Sequence, residues 1–234
     1  MPDSARWDAI ADTYVGVTGD NLDPATTALL ELVGHVKGLR VLDMATGAGR
    51  FARALARAGA QVVAIDVALE MLSLAIQQES DRPRGIRYGH ADAAAPTTLQ
   101  GEAFDGVTCN YGLSDIDDLH GALGLVERVV PTGGWFAFSI LHPCFPGWPS
   151  AGAPSSWPPG SGYFNEGLWF ADNAGFRRAA GANHRTLSTY VNHLTAHGLR
   201  IEALAEPEPP PEWTAAAPGT DGVPVFLAAR CRRH

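Results

Sequence analysis

The sequence predicts an α/β fold, a doubly wound parallel sheet with helices on both faces, and three observations carry that expectation. Strand-like β-branched runs alternate with helical patterns along most of the chain. Glycine, proline or aspartate punctuates the junctions between them. The 234 residues, 46% hydrophobic and 18% charged, suffice for one sizeable core, so one domain over residues 1–234 is expected.

Two helices come first, residues 4–14 and 24–36; Asp23 is the N-cap of the second and Pro24 its first residue. Strand 1 follows at 39–44, a helix at 50–58 closed by Gly59, strand 2 at 61–66 and a helix at 69–78. Strand 3 is read at 86–90, strand 4 at 104–110, and a helix at 119–130 stopped by Pro131 and the Gly133-Gly134 pair. Strand 5 spans 135–141. Between Pro143 and Phe170 the periodicity fails, and six prolines and seven aromatics make the segment too distinctive for a linker. A helix at 186–197, a strand at 199–204, a Pro-rich loop with Trp213 and a last strand at 223–229 complete the chain.

Composition excludes several classes. The longest apolar stretch, 135–141, is far short of a bilayer span, and Asp3, Arg6 and Asp8 stand where a secretory signal would be apolar, so a soluble, cytoplasmic protein without a membrane partner is expected. Cys109, Cys144 and Cys231 form no CxxC pair and no zinc-like spacing, so no metal is expected. His193 and His197 have the i, i+4 spacing of metal ligands but lack the HExxH glutamate and a third ligand, and read as a solvated helix face. A net charge of −8 argues against a nucleic-acid partner. Lys37 is the only lysine and Val33 lies four residues before it, which removes a Walker P-loop and a YxxxK pair.

The densest signal is VLDMATGAGRFARALA, residues 41–56, where an apolar strand runs into a glycine turn and then a helix. Gly47 and Gly49 let the backbone pass close to a ligand, with the free amides of the helix start facing it. Asp66, ending strand 2, is placed to accept hydrogen bonds from a ribose. An adenosine-containing cofactor is implied, and two compete. Residues 47–52 formally satisfy the GxGxx(G/A) dinucleotide fingerprint of an NAD(P)-dependent oxidoreductase. Against it, Asp43 lies in the crevice where a diphosphate would be repelled, whereas S-adenosylmethionine carries a sulfonium and an ammonium that favour a nearby acid. The plain alternative is that Asp43 and Asp66 are solvated acids at strand ends.

With these motifs the chain resembles a class I S-adenosylmethionine-dependent methyltransferase of the methyltransferase type 11 group, over about residues 5–142. The resemblance implies a Rossmann-like seven-stranded sheet of order 3-2-1-4-5-7-6 with strand 7 antiparallel. It assigns VLDMATGAG to the methionine half, through Asp43, Ala45, Gly47 and Gly49, and AIDVALEML to the adenosine, with Asp66 on the ribose and Val67 and Met71 against adenine. GHADAAAP would set Asp92 and Ala93 beside the adenine amino group, FDGVTCNYGLSDIDDL would set Asn110 and Tyr111 beside the methionine moiety and transferable methyl, and WDAIADTY resembles a capping helix with Tyr14 as contact. Ala45 departs from the pattern: it occupies the place of the first glycine, at a cost of one methyl near the ligand. The implied organisation is cap helices at 1–37, a cofactor-binding core at 38–142, a substrate lid at 143–185, and a C-terminal helix and strands at 186–234.

Methyl transfer is an in-line displacement in which orientation supplies ~7 to 11 kcal/mol, and a base, worth ~10² to 10⁴ in rate, is optional. His142 is the first candidate base, since its ordinary pKa is near neutrality; ordering the Pro143 turn, or lining the pocket, is its alternative role. Asp115 is second, with capping of the next helix as alternative, and His184 third. His184 lies in NHRTLSTY, which resembles related bacterial methyltransferases where it follows a substrate-covering insertion; the alternative is that Thr186 is simply a helix cap. Cys144 reads as lining, with no electropositive neighbour to activate it. Trp148, Trp157 and Trp169 form an apolar lid for a small acceptor, which Tyr111 and His142 also face; a homodimer interface is the other use of such aromatics. The expected activity is methylation of a small molecule, oxygen ahead of nitrogen or carbon, in the tailoring of a secondary metabolite. A non-methylating rearrangement or cyclisation on the same fold is the alternative.

Overall fold

The structure, a computed structural model, describes residues 3–11, 22–145, 161–171, 176–211 and 222–234. Helix α1 (Asp3–Asp8) and helix α2 (Pro24–Val33) precede the alternating units. Then come β1 (Arg40–Met44), α3 (Arg50–Arg57), β2 (Gln61–Asp66), α4 (Leu69–Asp81), β3 (Arg87–His90), β4 (Gly106–Asn110), α5 (Leu119–Val129) and β5 (Trp135–Leu141). The chain closes with β6 (Gly167–Trp169), α6 (Phe176–Ala180), β7 (Ala182–His184), α7 (Leu187–Ala196), β8 (Leu199–Ala205) and β9 (Phe226–Arg233).

Seven strands form one sheet in the order β3-β2-β1-β4-β5-β9-β8, with β6 and β7 apart as a two-stranded antiparallel sheet. With that pair set aside, the order is the one expected. β1 to β5 are mutually parallel, and β9 runs antiparallel between β5 and β8. No crossover helix separates β8 from β9 among the described residues, which suits an antiparallel pair.

Period-two alternation distributes the strand side chains over two cores. Phe136, Phe138, Leu42 and Val107 pack against α5 and α7 residues such as Leu123, Val126 and Leu194 on one face. Trp135, Ala137, Val41 and Val62 pack against Leu29, Val33, Phe51 and Leu55 of α2 and α3 on the other. Both faces are covered, as near-continuous apolar strands require. Trp135 fits because its neighbour on β4 is Gly106: a Cβ there would collide with the indole ring.

Several boundaries differ from expectation. α2 stops at Val33 because Gly34 takes φ 72° and its N–H returns to the Leu30 carbonyl, so 34–36 are not helical. β9 extends to Arg233, past the expected 229, because Trp135 and Phe136 of β5 pair with Arg232 and Cys231. The segment from 143 to 185, expected as an irregular lid, contains β6, α6 and β7 among its described residues. No described helix is long and apolar enough to cross a membrane.

Candidate functional site

The carboxyl ends of β1, β2, β4 and β5 face one crevice, the usual ligand position of an open α/β sheet. Its floor is the glycine turn between β1 and α3, anchored by the Thr46 N–H on the Ile65 carbonyl (3.0 Å) and the Gly49 N–H on the Thr46 carbonyl (3.0 Å). Gly49 takes φ 77°, and a Cβ there would strike the Tyr88 hydroxyl, so only glycine fits. Gly47, at φ 55°, has nothing within 4 Å of where its Cβ would stand, so its side of the turn opens to a ligand.

Two buried carboxylates flank the turn. Asp43 accepts from the Thr46 hydroxyl at 2.6 Å and the Thr108 hydroxyl at 2.7 Å. Asp66 accepts from the Gly47 N–H at 2.7 Å and the Ala68 N–H at 2.9 Å. Burial pushes each carboxyl up to about 6, against hydrogen bonds that favour the ionised form. They are not solvated strand-end acids: they are 1% and 9% exposed. No ion pair to either carboxylate occurs among the described residues. The Ala52 N–H adds a third donor to Asp43 and the Val67 N–H a third to Asp66, which leaves about one acceptor site on each carboxylate. The pair therefore presents negative potential and spare acceptors beside an open turn, which suits a cationic ligand with hydroxyls and repels a diphosphate. That donor set fits S-adenosylmethionine.

A network missed in the sequence reading backs this floor. Asp23, read there only as an N-cap, accepts from Thr26 N–H (2.9 Å), from the Tyr111 hydroxyl (2.8 Å) and from Arg50 (2.8 Å). Asn110 Oδ1 accepts from the Ser139 hydroxyl at 2.7 Å and the Thr26 hydroxyl at 3.3 Å. Tyr111, at φ 64°, is thus turned with its hydroxyl toward the start of α2. Of the remaining cofactor residues, Ala45 lies at φ 53°. Val67 is half-buried beside Asp66, and its carbonyl holds His90 Nε2 at 3.0 Å. Met71 is buried with Ala11 and Ala68 beneath α1, not open to the crevice. Asp92 is exposed with Oδ1 on the Ala94 N–H, and Ala93 is buried. Tyr14 lies outside the described residues.

On the acceptor side, the three candidate bases are each tied into the protein. His142 is 3% exposed; its Nδ1 accepts the Cys144 N–H at 3.1 Å, and its Nε2 meets Glu206 at 2.9 Å. Burial lowers its pKa against the pull of Glu206. That geometry matches the turn-ordering role. Asp115 is paired with Arg177, and burial raises its pKa while Arg177 opposes. The helix after it is capped, as expected of an acid in this stretch, by Asp118, whose Oδ1 accepts the Gly121 N–H. His184 is buried with Nε2 on the Tyr163 carbonyl at 2.7 Å. Thr186 caps α7 through the Thr189 N–H. Cys144 is exposed, and its thiol is raised, first by burial and then by Glu206, so nothing activates it.

The loop 112–118 after β4 is where three parts of the chain meet. Arg6 of α1 reaches Asp117 at 2.8 Å, and Asn183 of β7 reaches the same oxygen at 2.9 Å. Arg177 of α6 pairs with Asp115, and Arg185 donates to the carbonyls of Leu113, Ile116 and Asp117 at 2.7 to 2.9 Å. Trp169 is buried in β6 near this docking; Trp148 and Trp157 lie outside the described residues. His193 and His197 are not the solvated helix face expected: His193 Nδ1 meets the Thr189 carbonyl, and His197, at the end of α7, is buried between Glu127 and His120. Among the described residues no group of three His, Cys, Asp or Glu side chains could hold a metal.

Comparison with known proteins places this geometry. Residues 42–138 match a methyltransferase domain. The demethylmenaquinone methyltransferase of Renibacterium salmoninarum is 34% identical over 148 residues, which are 61% of this chain and 60% of that protein. The ubiquinone biosynthesis O-methyltransferase of Bordetella avium is 33% identical over 112 residues, 48% of this chain and 46% of that one. The chain thus spans about half the length of these relatives. A solved S-adenosylmethionine-dependent methyltransferase from Mesorhizobium loti superposes with a TM-score of 0.71 at 26% identity, over 92% of this chain and 100% of that one.

Proposed function

We propose that the chain, whose residues 42–138 match a methyltransferase domain, is a class I S-adenosylmethionine-dependent methyltransferase and that it transfers a methyl group from S-adenosylmethionine to a small-molecule acceptor held between the loop 112–118 and the segment 161–184. The observation that carries this reading is the pair of buried carboxylates, Asp43 and Asp66, on either side of an open glycine turn. When bound, S-adenosylmethionine supplies an electrophilic methyl on a sulfonium.

Asp66 holds the ribose through its remaining acceptor site, and Asp43 contributes negative potential under the methionine end. Gly47 leaves room for that end, and Asn110 and Tyr111, fixed by Ser139 and Asp23, shape the wall where the acceptor meets the methyl. Asp92, Ala93 and Val67 border the adenine; Met71 supports that wall from beneath α1. Because His142, Asp115 and His184 already hold partners, catalysis rests on orientation and exclusion of water, and these three act as positioning residues. An oxygen acceptor in a biosynthetic or tailoring step is the preferred substrate class; the O-methyltransferase name of the Bordetella avium relative supports it.

Calorimetry with S-adenosylhomocysteine tests the reading. Wild type should bind it and not NADPH, and Asp66→Ala should weaken binding by about 1.5 to 3 kcal/mol through loss of charge-assisted hydrogen bonds. Binding of NADPH alone would overturn the assignment, and detection of a rearranged, unmethylated product would favour the cyclase alternative.

A further inference from the structure

Behind the glycine turn, on the outer side of α3, lies a second cleft of about 360 Å³ lined by Arg50, Arg53, Arg57, Arg82, Arg84 and two α4 residues, Gln78 and Asp81. Five arginines on one small concave surface are unexpected in a chain of net charge −8. The spacing 50, 53, 57 places three of them on one face of α3. The other two come from the turn between α4 and β3. That turn is held firmly: Glu79 Oε1 accepts the N–H groups of Arg84 (2.6 Å), Gly85 (2.7 Å) and Ile86 (3.2 Å).

Arg50 is paired with Asp23, but Arg53, Arg57, Arg82 and Arg84 have no ion-pair partner among the described residues. Arg53 donates to the Ala48 carbonyl at 2.8 Å, which leaves its charge uncompensated. Asp81 in the lining and Glu79 on the turn beneath it oppose them, so four guanidinium groups against two carboxylates leave an excess of two positive charges. Gathering like charges destabilises the fold unless something offsets the repulsion. Guanidinium forks pair bidentately with tetrahedral oxyanions, and several forks around one hollow suit several linked phosphates better than one carboxylate.

We propose that this cleft is a binding site for a small, soluble oligophosphate, a free di- or triphosphate or an ester of one, distinct from the cofactor crevice on the other side of the turn. The overall charge of −8 is too negative for a nucleic-acid strand. The positive excess is opposite in sign to the several negative charges of a diphosphate or triphosphate near neutral pH. The inference does not depend on methyl transfer.

Calorimetric titration with sodium tripolyphosphate at constant ionic strength tests it, alongside sulfate and sedimentation with phosphatidylglycerol vesicles. Saturable tripolyphosphate binding with a Kd of about 10 μM, at least about tenfold tighter than sulfate, is expected. The doubly substituted Arg57→Glu, Arg84→Glu protein, its circular dichroism unchanged, should bind at least about tenfold more weakly. Should that variant misfold, Arg82→Gln, a neutral change at an exposed residue, should still weaken binding measurably. Absence of tripolyphosphate binding, equal affinity for sulfate, or unchanged affinity in the folded variants would overturn the proposal. So would binding to the vesicles without binding to tripolyphosphate, which would reassign the arginines to a lipid headgroup surface.

Discussion

Ala45 carries a methyl group where the backbone turns left-handed, at φ 53°, in the position that glycine holds in the pattern the chain resembles. The cost is more than the steric one expected from sequence. A left-handed alanine is disfavoured by about 1 kcal/mol, and its methyl faces Gly112, where even a Cβ would approach to 2.5 Å. Ala45→Gly should therefore raise the midpoint of thermal unfolding by about 2 °C, allowing for the greater entropy of the unfolded glycine chain. Scanning fluorimetry reads this directly, and a lower midpoint would show that the methyl contributes packing that outweighs the strain.

The two carboxylates make a pH prediction at the same scale. Asp43 and Asp66 stand near 6 in the folded chain against an ordinary 3.8, so between those values the folded state holds protons that the unfolded state has released. Stability from these groups is highest at the acid end and falls as pH rises through that window. Relative to wild type, Asp66→Asn should thus gain in unfolding midpoint between about pH 4 and pH 7, the span over which the carboxylate ionises. A gap that stays constant with pH would mean that Asp66 titrates normally.

At the scale of elements, polar side chains of the described residues in 161–184 hold them to the loop 112–118. Breaking the Arg177–Asp115 pair, whose side chains are only 8% and 16% exposed, should cost about 3 to 5 kcal/mol because it leaves one charge buried alone. Arg177→Ala should then expose 161–184 to limited proteolysis and speed its hydrogen exchange, with β1 to β5 still protected. In the same way, His142→Ala and Glu206→Gln should lower stability alike and leave the pH–rate profile unshifted, because the two act as one tether from β5. A lost pH-rate limb in His142→Ala alone would restore the histidine as a base.

Legibility follows the range of the interactions. The glycine turn, β1, β2, β5 and the caps at Asp23 and Thr186 were readable because local rules of periodicity and capping decide them. The last four residues of β9 were not, since Arg230, Arg232 and Arg233 look like a solvated tail until β5 and β8 are paired beside them. Arg177, Asn183 and Arg185 gave no signal, for their partners lie more than sixty residues away and no local spacing announces them. The histidines were visible as titratable groups, but the partners that occupy their ring nitrogens come from the backbone at 144 and 163 and from Glu206.

Taken whole, the molecule depends on β9 to close its sheet, because that strand pairs with β5 on one side and β8 on the other and buries Phe226, Ala228, Ala229 and Cys231. Removing residues 226–234 would bare the β5 edge and uncover both cores. A chain ending at 225 should lose its cooperative unfolding transition and aggregate, which circular dichroism and light scattering would register. Retention of a sharp transition would mean that β1 to β5 with their helices form a self-sufficient half.

Asp117 is shared between Arg6 of α1 and Asn183 of β7. Pieces transplanted from a related protein must respect that junction. A chimera that takes a foreign stretch in place of 161–184 while keeping its own α1 would break half of the clasp, so recombination between such proteins is expected to succeed only when α1 and 161–184 travel together.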